Sequence, residues 1–211
     1  MLPTLFTIWF LHFVAVATPG PNALVVSRIA ASERGHGAAF AVAGVMVGAL
    51  VWSSSAILGV HLLFQALPGM RLGLQVAGGM YLLYSGWKLW RAPVAAPQDV
   101  AAQAPMSAVA AFRQGLLTNL TNPKSALFFG SIFAAAFPPA PGLGLQLAAV
   151  LLVVLNCCLW YGLVAWLFSR ASVRQGYARA RRTINRVAAG LFGLLGGGLL
   201  LSALRESHSA P

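Results

Sequence analysis

Six apolar runs, each about as long as a bilayer is thick, leave this chain little choice of fold. A hydrocarbon core of about 30 Å is crossed by about 20 helical residues rising 1.5 Å each. Runs of that size occupy residues 4–27, 38–63, 69–90, 113–136, 142–168 and 185–204. In lipid the backbone N–H and C=O groups find no water, so such runs cross as helices that satisfy their own hydrogen bonds. Only 8 % of the 211 residues are charged and 59 % are apolar, whereas soluble domains carry about a quarter charged residues. The expectation is an all-α membrane protein of six transmembrane helices. A net charge of +11 would suggest nucleic acid if it lay on a soluble face. Here the basic residues collect in the short gaps between apolar runs, which points to a bilayer and away from nucleic acid. The opening Met1-Leu2-Pro3-Thr4 has no basic character, so the first run reads as a retained span and not as a secretory signal.

Six spans put both termini on one side. Eleven of the 14 Lys and Arg residues fall in connections one, three and five, the largest group running from Arg170 to Arg186. The opposite side has Arg71 and Arg205, and Lys124 alone lies within a span. The excess of cytoplasmic basic residues in membrane proteins therefore predicts connections one, three and five inside and both termini periplasmic. The Ala/Pro-rich stretch 92–112 reads as a cytoplasmic linker between a first three-helix repeat, residues 1–91, and a second, residues 113–211. Three spans per half is an odd number, so the second half enters the membrane upside down, as in a 3+3 inverted repeat. Both first helices of these halves are interrupted, by Thr18-Pro19-Gly20-Pro21-Asn22 and by Thr121-Asn122-Pro123-Lys124, with Pro21 and Pro123 102 positions apart. Proline removes a helix hydrogen bond and clashes with the preceding turn, so spans one and four are expected to be broken helices.

An opened helix at membrane depth is tolerated where protein, water or solute meets its freed groups, so paired breaks mark a candidate binding site. Its expected residues are Pro19, Gly20, Pro21, Asn22, Asn122, Pro123 and Lys124, with Tyr81 and Asn156 as inward polar groups of spans three and five. Half-helices starting at Pro21 and Pro123 would offer unpaired N–H groups and a positive dipole end, which suit a carboxylate. Lys124 is 11 positions from Arg113, roughly 17 Å along a helix, too deep for easy snorkelling, and its ammonium needs a partner. That partner is either a substrate carboxylate or carbonyls opened in span one. His12 and His61 have no neighbouring carboxylate in sequence; His12 is a candidate proton relay, and no metal site is expected. Gly44, Gly48, Gly78, Gly79, Gly193 and Gly196 to Gly198 allow close helix packing and would permit a homodimer.

These residues together carry a family likeness. The Thr18 to Asn22 break, the Gly44 to Gly48 spacing, Ala77-Gly78-Gly79-Met80-Tyr81-Leu82 with Gly86 and Trp90-Arg91, and Asn119-Leu120-Thr121-Asn122-Pro123-Lys124 resemble the LysE/RhtB amino-acid exporters. The resemblance runs from span one to the Gly-rich span six. It implies export of amino acids from the bacterial cytoplasm across the inner membrane, driven by the proton gradient. One departure stands out. The resemblance implies an acidic residue within the spans, but here Asp99 and Glu206 lie in connections or termini, Glu33 sits at a span end, and Asn156 stands where Asp is looked for. Lys124 and His12 are then the candidate proton carriers. Without a counter-charge for a cationic side chain, neutral amino acids are the expected substrates.

The expectation is a secondary transporter exporting neutral amino acids by alternating access, with protons as the candidate coupling ion. Neither enzymatic activity nor a cofactor is expected. A heavy-metal or cation exporter is the alternative, disfavoured because the spans hold no cluster of Cys, His and carboxylate ligands. A membrane redox carrier would need a cysteine in each half, and Cys157 and Cys158 both lie in span five.

Overall fold

The computed structural model describes residues 1–32, 36–66, 70–91, 106–138 and 141–209. Within them the chain forms helices α1 (Leu2–Ala17), α2 (Pro21–Ser32), α3 (His36–Ala66), α4 (Met70–Trp90), α5 (Ala108–Leu120), α6 (Pro123–Ala136), α7 (Leu143–Phe168) and α8 (Ala171–Ser209), and no strands. Glu33, Arg34, Asp99 and residues 92–105 of the expected linker lie outside the described residues.

Among the described residues three helices are long and apolar enough to cross a bilayer on their own: Gly37–Gly59 within α3, Leu143–Phe168, and Arg182–Arg205 within α8. A fourth crossing is reached if α1 and α2, which meet at a 56° bend, count as one broken span. The surface of α7 fits lipid on one side. Leu143, Leu147, Leu151, Leu155, Leu159 and Leu163 follow i, i+4 spacing and are all exposed, Leu159 by 73 %. In water that ridge would lose the burial term of about 25 cal/mol per Å², whereas lipid tails are as apolar as leucine.

Two boundaries differ from the sequence expectation. The fourth apolar run begins as helix at Ala108 and not at 113, because the Ser107 side chain accepts a hydrogen bond from the Ala110 N–H and caps the helix start. The Arg170 to Arg186 run is not a loop. From Ala171 it is the first part of α8, and Arg174 turns back to donate a 2.8 Å hydrogen bond to the Phe168 carbonyl at the end of α7.

Helix α3 lies at the centre of the larger core. Its buried Ala38, Ala41, Val42, Val45, Ala49 and Ser53 face α5, α6, α7 and α2. Small residues set the spacing. A methyl group added at Gly44 of α3 would overlap the Phe112 carbonyl oxygen of α5, and one added at Gly115 would overlap that of Ala41, so these two helices touch backbone to backbone. Helices α4 and α8 use the same device. A methyl at Gly79 would stand 3.0 Å from the Gly196 oxygen, and one at Gly196 would stand 2.8 Å from the Gly79 oxygen. A second, smaller core of Val14, Leu82 and Phe192 joins α1, α4 and α8.

Candidate functional site

The two breaks share one construction. Thr18 precedes Pro19 and Asn122 precedes Pro123, and both have extended backbones, with ψ of 130° and 109°. The proline ring disfavours helical geometry in the residue before it, which ends each helix there. Beside each break a threonine hydroxyl turns back on its own helix, Thr18 Oγ1 to the Val14 carbonyl and Thr121 Oγ1 to the Leu117 carbonyl, both at 2.7 Å. Proline also has no N–H, so the carbonyl four residues earlier loses its helical donor. Pro19 does this to Ala15, Pro21 to Ala17, and Pro123 to Asn119.

Distant side chains reach two of these carbonyls, that of Asn119 accepting the Asn122 N–H at 3.2 Å as well. Trp52 Nε1 of α3 donates to the Asn119 carbonyl at 3.2 Å. Lys124 Nζ, at the start of α6, donates to the Ala15 carbonyl at 2.8 Å and to the Thr18 carbonyl at 3.2 Å, across more than a hundred residues of sequence. The ammonium also lies 5.4 Å from the centre of the Phe192 ring of α8, within cation–π range. A methyl at Gly20 would lie 3.7 Å from Nζ, so the α1–α2 break wraps the lysine head from the glycine side too. An ammonium carries three donors, and two are spent on carbonyls.

This contact forms one wall of a small, partly open cavity lined by residues of both breaks together with His12, Phe128, Phe129, Cys157 and Tyr161. Among the described residues no carboxylate lines it. Asn22 and Asn119, from opposite breaks, both face it, and the Oδ1 atom of each is buried without a hydrogen bond of good geometry. The Tyr161 hydroxyl approaches Asn22 without closing one. A buried amide oxygen left unpaired costs about 1–3 kcal/mol, so unpaired polar atoms on a cavity wall suit a polar guest.

His12 is 2 % exposed. Asn156 Nδ2 lies 3.1 Å from its Nδ1, and Cys157 Sγ lies 3.9 Å from its Nε2. An amide nitrogen only donates, so the Asn156 contact makes Nδ1 the acceptor and leaves the ring proton on Nε2. The rings of Phe128 and Phe129, with centroids 5.9 and 5.6 Å away, hold the imidazole from the other side.

The structure thus brings Gly20, Asn22, Asn122 and Lys124 together on one cavity, with Pro19 and Pro21 shaping the backbone beside them. Asn156 touches His12 and does not line the cavity itself. Tyr81 is set apart: it sits on α4, outside the lining, one turn from Ser85. The expectation of free N–H groups at the half-helix starts is not met at α6. At α6 the Asn122 side chain accepts from the Lys124 N–H at 3.0 Å and its carbonyl accepts from the Ser125 N–H. At α2 the corresponding cap position is Gly20, which has no side chain to offer, so the first N–H groups there lack an intrahelical partner. Sequence reasoning missed Thr18, Thr121, Trp52 and Phe192. For the threonines a signal was present, since hydroxyl residues beside a proline break commonly bond back to the preceding turn.

Comparison with known proteins identifies a family. A family profile described as LysE type translocator matches residues 13–203. The chain is 34 % identical over 206 residues to a threonine efflux protein of Salmonella typhi, covering 96 % of this chain and 100 % of that one. It is 33 % identical over the same extent to a threonine efflux protein of Escherichia coli. A leucine efflux protein of Salmonella choleraesuis is 27 % identical over 183 residues, 85 % of this chain and 84 % of its own. No solved structure matches. With a cavity built between two proline breaks and a family profile spanning nearly its whole length, the chain belongs to the LysE type translocators.

Proposed function

We propose that the protein exports neutral amino acids from the bacterial cytoplasm by alternating access, binding them in the cavity between the two breaks. The observation that carries this reading is the meeting of one half-buried ammonium, two carbonyls of the α1–α2 break, one of them freed by Pro19, and a helix start without a side-chain cap on a cavity wall with no carboxylate among the described residues. An α-amino acid has the complementary pair of charges. Its carboxylate docks on Lys124 and the α2 start near Asn22, and its ammonium on carbonyls of the α1–α2 break. A cationic side chain would find no counter-charge there, which favours neutral substrates. The names of the threonine and leucine efflux relatives point the same way.

The transmembrane arrangement in this reading is a 3+3 inverted repeat of six spans with both termini periplasmic. Three features support it. Both inner half-helices start at a proline, Pro21 and Pro123, and α3 and α7 end at Ala66 and Phe168, again 102 positions apart. Helix α4 packs on α8 and α3 on α7, each pair joining equivalent positions of the two halves, and α1 packs on α7 as α5 packs on α3. Arg91 over Trp87, Arg186 over Trp90 and Arg170 over Trp166 form cation–π pairs in the segments assigned to the cytoplasmic side. Such pairs suit a headgroup interface. For coupling, both ring nitrogens of His12 already face Asn156 and Cys157, which leaves Lys124 the better placed proton carrier.

The test is release of amino acids from dipeptide-loaded cells expressing the wild type or Lys124→Ala, with and without collapse of the pH gradient at constant membrane potential. The expected result is release of a few neutral amino acids by the wild type, lost in the variant at equal membrane abundance and reduced when the gradient is collapsed. No release above control would overturn the exporter reading. Release indifferent to the gradient would remove proton coupling alone.

A further inference from the structure

The Lys124 ammonium already holds the carbonyls that a substrate ammonium would need. Ala15 O and Thr18 O accept from Nζ at 2.8 and 3.2 Å, and Pro19 is the reason Ala15 O lacks a helical donor. Two ammonium groups cannot share that pair of oxygens, because at contact distance like charges in a poorly solvated cavity repel strongly. We propose that Lys124 is a tethered counterpart of the substrate ammonium, and that binding is an exchange in which the guest carboxylate draws Lys124 off the two carbonyls while the guest ammonium takes them over.

The exchange balances in both charge and hydrogen bonds. The carbonyls trade one ammonium for another, and the displaced lysine trades two carbonyl oxygens for a carboxylate. No buried donor or acceptor is stranded. The lysine stem is flexible, and at Gly20, where a methyl would make ordinary contact with Nζ at 3.7 Å and with Cδ at 3.9 Å, the missing side chain leaves a gap beside the stem and head. Molecules bearing only one of the two charges fail in different ways. A primary amine without a carboxylate must displace Lys124 and has nothing to hold the displaced charge. A carboxylate without an amine draws Lys124 away and leaves two buried carbonyls unsatisfied, at a cost typical of unpaired buried polar groups. The site therefore selects zwitterions by requiring both charges on one molecule, before any side-chain pocket acts.

This inference rests on the proposed amino-acid site, and it makes a prediction that loss of folding cannot imitate. In Lys124→Met the two carbonyls lose their tethered partner, so an amine that the wild type rejects should bind. The measurement is ligand-induced thermal stabilisation of the detergent-purified protein, titrated with threonine, with 1-amino-2-propanol, which lacks the carboxylate, and with 3-hydroxybutanoate, which lacks the amine. The expected result is a wild type that responds to threonine at concentrations at least about tenfold below those of either fragment. Lys124→Met should lose about tenfold or more for threonine and gain a response to 1-amino-2-propanol. A wild type answering the amine as well as the amino acid overturns the exchange, as does a folded Lys124→Met that still prefers threonine or binds neither. If the variant does not fold, the wild-type ranking of the three ligands alone decides. A wild type that answers no amino acid while Lys124→Met gains the amine would sink the exporter reading and leave the tether standing.

Discussion

Replacing Gly44 with alanine tests the closest helix contact in the fold and, through it, the geometry of the cavity. A methyl group there would overlap the Phe112 carbonyl oxygen and stand 2.7 Å from Leu116 N and 3.0 Å from Phe112 C. Ordinary carbon contacts lie near about 3.5 to 4 Å, so α3 and α5 must separate by about 1 Å. The obstacle is backbone, which has no rotamer to escape into. Overpacking of this kind costs about 1–3 kcal/mol, and the better helix propensity of alanine returns up to about 1 kcal/mol. The expected net loss is about 1 kcal/mol. Gly59 on the same helix is the control, since a methyl there meets nothing within 4 Å. Gly59→Ala should be neutral or stabilising. The assay is reversible unfolding of the purified protein in mixed micelles titrated with a denaturing detergent, both variants against wild type. A functional consequence accompanies the stability loss. The last turn of α5 carries Asn119, which packs so tightly on Gly48 that a methyl there would stand 2.7 Å from its Cβ. Moving α5 therefore moves one side of the cavity, and export should fall in Gly44→Ala but not in Gly59→Ala. If the two variants unfold within about 0.5 kcal/mol of each other, the backbone contact between α3 and α5 is not as tight as described and the reasoning fails.

Two further outcomes are expected. Asn122→Ala removes the side chain that caps α6 through the Lys124 N–H; since Asn122 is buried, the loss should reach the upper part of the usual range, about 2 kcal/mol. Asn122→Ser, which keeps an acceptor at that position, should recover most of it in the same unfolding assay. For topology, reporter fusions active only in the periplasm should light up at both termini and stay dark when placed after Trp90 or within 92–105; an active fusion in that connection would refute the six-span orientation.

The positions of the helices, their breaks and the isolated lysine were legible in the sequence because each depends on local chemistry. Apolar length decides where a bilayer can be crossed. A proline ends a helix and frees a carbonyl whatever surrounds it, so the starts of α2 and α6 at Pro21 and Pro123 follow from residue identity alone. Which groups meet across the fold was not legible. The sequence left Lys124 two partners, substrate or the carbonyls of span one, and only packing put its head on Ala15 and Thr18. It grouped Tyr81 with the site, and packing set it aside; it valued Asn156 as a binding residue, and packing turned it onto His12. The reason lies in the solvent. A helix in water shows by its amphipathic stripe which face turns inward, but in lipid both faces are apolar, and the rotation of each helix about its axis is set by where its partners' small residues allow contact. Gly44 against α5 and Gly79 against α8 make that choice here, and a glycine in a sequence does not name the backbone it will touch.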